Sequence, residues 1–127
     1  DLGSGISFDS GPLASLNTGY VIGNMETKWD GIWSIKSSKA SDGYHHDTTF
    51  KLEDPENEVL EADISCEKGE LTLELIQEDQ KSSLDVSDLS QPLEYPLSEF
   101  REGKIRVRLT RHGAENISAK ICIQKED

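Results

Sequence analysis

Two stretches of strictly alternating hydrophobicity constrain this chain more than any other feature of its sequence. The first covers residues 60–66 and resumes over residues 71–75, after a glycine-containing turn at residues 67–70. The second covers residues 105–109 and 117–123 around another turn. A period of two puts the apolar side chains on one face of a strand, whereas a helix would scatter them. Each stretch therefore predicts a β-hairpin.

The rest of the chain carries shorter signals of the same kind. Strands are predicted at residues 20–22, around Trp33 and Ile35, and at residues 48–52. Pro92 and Pro96 bracket residues 93–95, which predicts an edge strand because proline cannot donate to a sheet ladder. No stretch indicates a helix. Short strands at roughly 10-residue spacing predict an all-β fold, an antiparallel sandwich of about seven to nine strands.

The length of 127 residues suits one domain with one core. Residues 1–19 are rich in Gly, Ser and Asn, and they are predicted to form a flexible N-terminal tether or an edge segment. Residues 20–127 are predicted to form the single β-sandwich domain.

The charge balance limits the kinds of partner that the chain is expected to bind. The net charge of −12 argues against nucleic acid, because binding to phosphates needs a basic surface. No apolar run approaches the roughly 20 residues of a membrane span. A basic stripe of Lys104, Arg106 and Arg108 is expected to pair with the outward carboxylates of the central hairpin, and the alternative is a site for an anionic ligand. Those carboxylates are Glu61, Asp63, Glu70, Glu74 and Glu78.

The alternation of each strand predicts on which face its cysteine lies, and the two faces decide whether a disulfide can form. Cys66 shares the inward parity of its strand, whereas Cys122 lies with Ser118 and Lys120 on the opposite parity. Opposite faces favour two free thiols, since bridged Cα atoms must lie within about 7 Å of each other. A single disulfide is the alternative if a bulge resets the parity.

Signatures of catalysis are missing from the sequence. It has no Gly-x-Ser-x-Gly elbow, no glycine-rich phosphate loop followed by Lys, and no His-Glu-x-x-His. Its 25 carboxylates show no spacing specific to a glycosidase pair. We therefore predict no catalytic residue and expect that the chain is not an enzyme.

Four residues are predicted to bind a ligand: Trp29, Tyr44, His45 and Asp47. Trp29 follows a polar run and precedes Asp30-Gly31, so it is expected to be exposed, as in domains that stack sugar rings on aromatic side chains; the alternative, and the more ordinary outcome, is that it caps one end of the core. Trp33 is assigned to the core. No metal site is predicted, because adjacent histidines in an extended chain point to opposite faces. Calcium held by Asp42, Asp47 and nearby carbonyls is the alternative, and no other cofactor is expected.

Three segments carry a family resemblance: residues 66–73, residues 103–109 and the closing strand at residues 117–123. In turn glycines and alternation they resemble small secreted β-sandwich domains of lipoproteins and surface proteins from Gram-positive bacteria. The resemblance implies a jelly-roll-like sandwich and an extracellular or envelope-attached location. The Gly/Ser segment at residues 1–5 is similar to the tether after a lipidated cysteine, so a lipid anchor in the precursor is expected.

The function predicted from the sequence is a non-catalytic extracytoplasmic binding or interaction module with a protein or glycan partner. Its antiparallel edges, including the segment near Tyr95, would offer the contact surface. One alternative is a carbohydrate- or calcium-binding module that uses Trp29, Tyr44 and Asp47. Another is a structural spacer domain.

Overall fold

Residues 19–126, which the computed structural model describes, form eleven β-strands and one 3-10 turn at Pro55–Asn57. The all-β prediction is confirmed. The strands in chain order are β1 (Val21–Ile22), β2 (Met25–Trp29), β3 (Ile32–Ser37), β4 (Lys39–Ala40), β5 (His45–Leu52), β6 (Glu58–Ser65), β7 (Lys68–Gln77), β8 (Gln80–Asp85), β9 (Leu93–Pro96), β10 (Gly103–Glu115) and β11 (Ile117–Lys125).

Nine of these strands form two antiparallel sheets. The first has five strands in the order β9-β6-β11-β3-β2, and the second has four in the order β5-β10-β7-β8. Strands β1 and β4 pair separately as a two-stranded ribbon. The inward side chains of both sheets meet in one hydrophobic core, which confirms the predicted antiparallel sandwich.

The core is built from the alternating runs that the sequence displays. Trp33 is only 2% exposed, as predicted. Each Leu or Ile that is fully buried contributes about 1.5–3 kcal/mol relative to the exposed side chain. The inward set from the two long runs comprises Leu60, Ala62, Ile64, Leu71, Leu73, Leu75, Ile105, Val107, Leu109, Ile117, Ala119 and Ile121.

Both predicted hairpins are wrong in their pairing. Strand β6 pairs with β9 and β11 in the five-stranded sheet, whereas β7 pairs with β10 and β8 in the four-stranded sheet. Strands β10 and β11 are likewise in different sheets. A period of two tells which face of a strand turns inward but not which neighbour it bonds. Successive runs with inward apolar faces can therefore face each other across the core.

The chain changes sheets at two adjacent corners. Asn116 alone joins β10 to β11, and its φ of 52° is in the left-handed region. The Glu67 amide donates to the Glu115 carbonyl at 2.9 Å, and the Asn116 side-chain amide donates to Glu67 Oε1 at 2.8 Å. Gly69 approaches the backbone of the second corner so closely that a Cβ there would lie 2.5 Å from the Ala114 nitrogen. Only glycine fits this crossing.

A true hairpin joins β2 to β3. Trp29 pairs with Ile32, so only Asp30 and Gly31 form the turn. Their φ angles of 55° and 78° are those of a type I′ turn, for which Asp-Gly is a favoured sequence. Strand β2 thus becomes one edge of the five-stranded sheet. The Pro-flanked strand β9 is the other edge, as its prolines predicted.

The remaining predictions concern the thiols, the tether and the membrane. Cys66 and Cys122 are both free thiols, as their opposite parities predicted. Of the predicted tether at residues 1–19, only Gly19 is among the described residues. Within residues 19–126, no helix has the length and apolar character needed to cross a membrane.

Candidate functional site

The outer face of the five-stranded sheet carries the most exposed aromatic side chain among the described residues. Trp29 is 80% exposed, as the sequence predicted. Cross-strand pairing places it in one row with Ile32 on β3 and Cys122 on β11. Ile32 is also exposed, so the row presents a narrow apolar strip next to the β2–β3 turn. An indole left in water on a flat sheet face is a feature to explain, because large apolar side chains are usually buried.

The alternation of β2 determines why Trp29 points outward. Glu26 and Lys28 occupy the inward parity, opposite the core positions of β3. Met25, Thr27 and Trp29 therefore share the outward parity. Within residues 19–126, β2 is an edge strand, and no further strand of the sheet lies beyond it.

Polar side chains flank the apolar strip on the same face. The next row across the sheet contains Thr27, Ser34, Lys120 and Asp63, each paired directly with its neighbour. Glu61 extends the Trp29 row beyond Cys122. The face thus combines one exposed aromatic ring with hydroxyl, ammonium and carboxylate groups. A few polar groups around an apolar surface are what fixes the orientation of a small polar ligand.

Inward-pointing Lys28 contacts the edge of the opposite sheet. Its ammonium donates to the Thr49 carbonyl and lies 4.5 Å from the centre of the Phe50 ring on β5. Partial burial lowers the pKa of the Lys28 ammonium. Next to this contact is a groove of about 530 Å³, lined by Lys28, Gly31, Phe50, Lys51, Lys104 and Lys125 among others.

Two residues away, the partly exposed Glu26 also contacts β5, where it bonds a buried polar cluster of His46, Arg111 and Ser37. Its Oε1 lies 2.5 Å from His46 Nδ1. On the other side of the ring, Arg111 Nη1 donates to His46 Nε2 at 3.4 Å, so the ring proton is on Nδ1 and is donated to Glu26. Arg111 also donates to Ser37 Oγ at 2.5 Å and to the Ala114 carbonyl at 3.0 Å.

Burial and bonding act in opposite directions on these charges. Burial alone would raise the pKa of Glu26, but its interactions with His46 and hydrogen bonds from Trp33 and Asn24 hold that pKa below its ordinary value. Burial lowers the pKa of the Arg111 guanidinium, which is 1% exposed. The cluster satisfies most of its own polar groups and closes one end of the gap between β2 and β5. It has the character of a structural bridge.

The four predicted site residues are not brought together. Trp29 lies on the outer face of the five-stranded sheet. His45 and Asp47 pair with outward-facing residues of β10, on the outer face of the other sheet. Tyr44 contacts the buried His46 edge-on, with ring centres 5.2 Å apart. The polar run before Trp29 correctly predicted its exposure, but short-range sequence could not tell that its sheet differs from that of Asp47.

Asp47 is occupied by two arginines. Its Oδ2 lies 3.1 Å from Arg108 Nη2 and 3.6 Å from Arg106 Nη1. Both arginines thus pair with an acidic side chain on a neighbouring strand, but that side chain is Asp47 of β5 and not one of the predicted carboxylates of the central stretch. Lys104 differs, because the residue directly opposite it is Lys51.

The carboxylates of the calcium alternative do not converge. Asp42 is 3.8 Å from His112, whereas Asp47 is opposite Arg108, four residues earlier on β10. Four residues of strand span about 13 Å, more than one ion can bridge. In the part of the chain that the structure describes, no three His, Cys, Asp or Glu residues are grouped to hold a metal ion.

The sequence alone did not reveal the groove or the buried arginine. Arg111 carried a detectable signal, since it continues the inward parity of Ile105, Val107 and Leu109. The groove had no local signal, because its four lysines come from distant parts of the chain.

No known protein family and no curated protein matches the sequence. Among solved structures, the chain is similar to TmCBM61, whose structure was determined in complex with beta-1,4-galactotriose. The TM-score is 0.43 with 12% sequence identity, over 81% of this chain and 69% of that chain. With so little similarity, the bound galactotriose is a finding about that protein alone.

Proposed function

We propose that this chain is a non-catalytic binding module that holds a glycan on the outer face of its five-stranded sheet. The observation that carries the proposal is Trp29, 80% exposed on a flat face beside the polar row of Thr27, Ser34, Lys120 and Asp63. Trp33 is the tryptophan that packs in the core, so Trp29 has no role in core packing.

The chemistry of this face matches a sugar better than an apolar partner. A pyranose ring has one face of C–H groups, which packs against the electron-rich face of an indole, and a rim of hydroxyls that donate and accept hydrogen bonds. Trp29 offers the first contact, and Ser34, Lys120 and Asp63 offer partners for the second. The exposed apolar side chains of this face are interrupted, because the polar pair Thr27 and Ser34 separates Met25 from Trp29 and Ile32. Protein interfaces usually need a broader hydrophobic centre.

The location and partners expected from the sequence are compatible with this proposal. An extracellular or envelope location, implied by the family resemblance, would expose the face to glycans and remains a prediction. The interaction module with a protein partner and the spacer domain also remain predictions. Binding that depends on Trp29 would exclude a pure spacer.

The test is a titration of the chain with a panel of neutral and acidic oligosaccharides, followed by tryptophan fluorescence and calorimetry. We expect binding by the wild-type chain and its loss in Trp29→Ala. Tyr20→Ala removes another exposed aromatic ring and serves as the matched control, with binding unchanged. Both variants should keep their unfolding free energy within about 0.5 kcal/mol, since surface substitutions are usually this mild. Wild-type affinity in Trp29→Ala, or no binding to any member of the panel, would overturn the proposal.

A further inference from the structure

The groove beside Trp29 is the most basic concavity that we find in an acidic chain. Four of the 13 Lys and Arg residues line it, although the net charge is −12. The lysines come from four strands: Lys28 from β2, Lys51 from β5, Lys104 from β10 and Lys125 from β11. Only the tertiary fold brings them together.

Two of these lysines are placed against each other. Lys51 and Lys104 are direct cross-strand partners, an arrangement that destabilises a sheet because like charges repel. Within residues 19–126, neither has a salt bridge of 4.0 Å or less. An anion bound between them would relieve this repulsion.

The acidic residues of the groove do not neutralise it. Glu58 is 8% exposed, and its oxygens accept hydrogen bonds from the backbone amides of Glu53 and Asp54 at 3.0–3.4 Å. Lys125 is the lysine with an acidic partner, Asp54 at 3.6 Å. Glu53 also lines the groove. Four ammonium groups against two carboxylates leave the lining net positive.

The groove and the aromatic platform meet at one turn. Gly31 lines the groove, and it belongs to the two-residue turn that begins after Trp29. By register, Lys51 and Lys104 share the outward parity of Asp47 on the four-stranded sheet, so a ligand stacked on Trp29 needs several sugar units to pass around this turn and reach them.

We propose that the ligand of the Trp29 face is an acidic glycan whose carboxylate or sulfate groups bind the lysine groove. This inference rests on the proposed function, because it names the class of glycan that the same site selects. The acidic remainder of the surface would repel such a ligand elsewhere and leave the groove as its point of attachment.

The experiment compares ligands that differ only in charge. Oligogalacturonides of one length are titrated in de-esterified and methyl-esterified form, and sulfated oligosaccharides are compared with their desulfated counterparts. We expect tighter binding of at least one acidic form, with an affinity that falls as salt is added. The arm that shows the preference identifies the anionic group as carboxylate or sulfate.

Variants then locate the selectivity. Lys51→Met combined with Lys104→Met should weaken binding of the acidic form about 5–10-fold and leave the neutral form unchanged. Lys39→Met combined with Lys68→Met removes the same charge away from the groove and should have little effect. Urea unfolding of both double variants checks that each is folded.

The failures of the two proposals are distinguishable. Equal affinity for charged and neutral forms, with Trp29→Ala still abolishing both, would overturn the acidic selectivity and leave glycan binding standing. An acidic preference that survives the groove double variant would also overturn the inference. Binding that ignores Trp29→Ala would overturn the proposed function, and the inference with it.

Discussion

Glu26 and Lys28 leave the same edge strand toward the same gap, yet their surroundings differ. Glu26, itself partly exposed, bonds the buried His46, whose ring in turn accepts a hydrogen bond from Arg111. Lys28 contacts the rim of β5 and borders an open groove. One pair of facing strands therefore serves two purposes. At the Glu26 end the polar groups of the cluster are mostly bonded, Arg111 Nε being the buried side-chain atom without a partner among the described residues, and the gap is closed. At the Lys28 end, Lys51 and Lys104 have no salt bridge within the described residues, which leaves space and charge for a ligand.

The largest effect should come from the closed end. Arg111→Ala removes a buried cation with three bonded partners and leaves His46 and Ser37 without their donor. We expect a loss of about 3 kcal/mol in the free energy of unfolding, measured by urea denaturation. Arg111→Met keeps most of the side-chain volume and should lose less. A loss in Arg111→Ala below about 1 kcal/mol would contradict a closed, stabilising cluster.

The same end should respond to acid. The pKa of Glu26 is lowered in the folded state, so its stabilising contribution is present above the pKa of the unfolded chain and is lost as pH falls through the folded value. Glu26→Gln should lose about 1–2 kcal/mol at pH 7, and the difference from wild type should shrink toward pH 3. Glu102→Gln is the exposed control. A difference independent of pH would show that the Glu26 charge is not what matters.

The arginine stripe should give an intermediate result. Arg106 and Arg108 are 16% and 14% exposed in their side chains, and both neutralise Asp47. Replacing both with Gln should cost about 1 kcal/mol and leave the circular dichroism spectrum unchanged. Collapse of the double variant would mean that the stripe is part of the structural framework.

The smallest effect should come from the open end. Lys28→Met keeps the apolar stem against Phe50 and loses only the cation over the ring and the bond to the Thr49 carbonyl. We expect a change of about 0.5 kcal/mol by urea denaturation. A loss as large as that of Arg111→Ala would erase the distinction between the two ends.

The sequence predicted what depends on local alternation. It identified the strands of the core, the burial of Trp33, the exposure of Trp29 and the edge position of the Pro-flanked strand. It could not predict which strands bond each other, because a strand that crosses to the other sheet has the same alternation as one that returns in a hairpin.

The candidate site was predicted in one residue only. Trp29 could be found from its neighbours, but the lysine groove depends on contacts between residues up to 97 positions apart in the sequence, Lys28 and Lys125. Asp47 looked available in the sequence because its two arginines are about 60 residues away. A site whose residues are brought together only by the fold cannot be recognised from the residues that neighbour each other in the sequence.

The paired corners at Glu67 and Asn116 have a consequence for how the molecule comes apart. The chain passes from one sheet to the other at these two neighbouring corners, and the two corners are hydrogen-bonded to each other. Neither sheet can therefore unfold while the other sheet stays ordered. Amide protons in the middle of β10 and β11 should therefore exchange with deuterium at matching rates, as one cooperative unit.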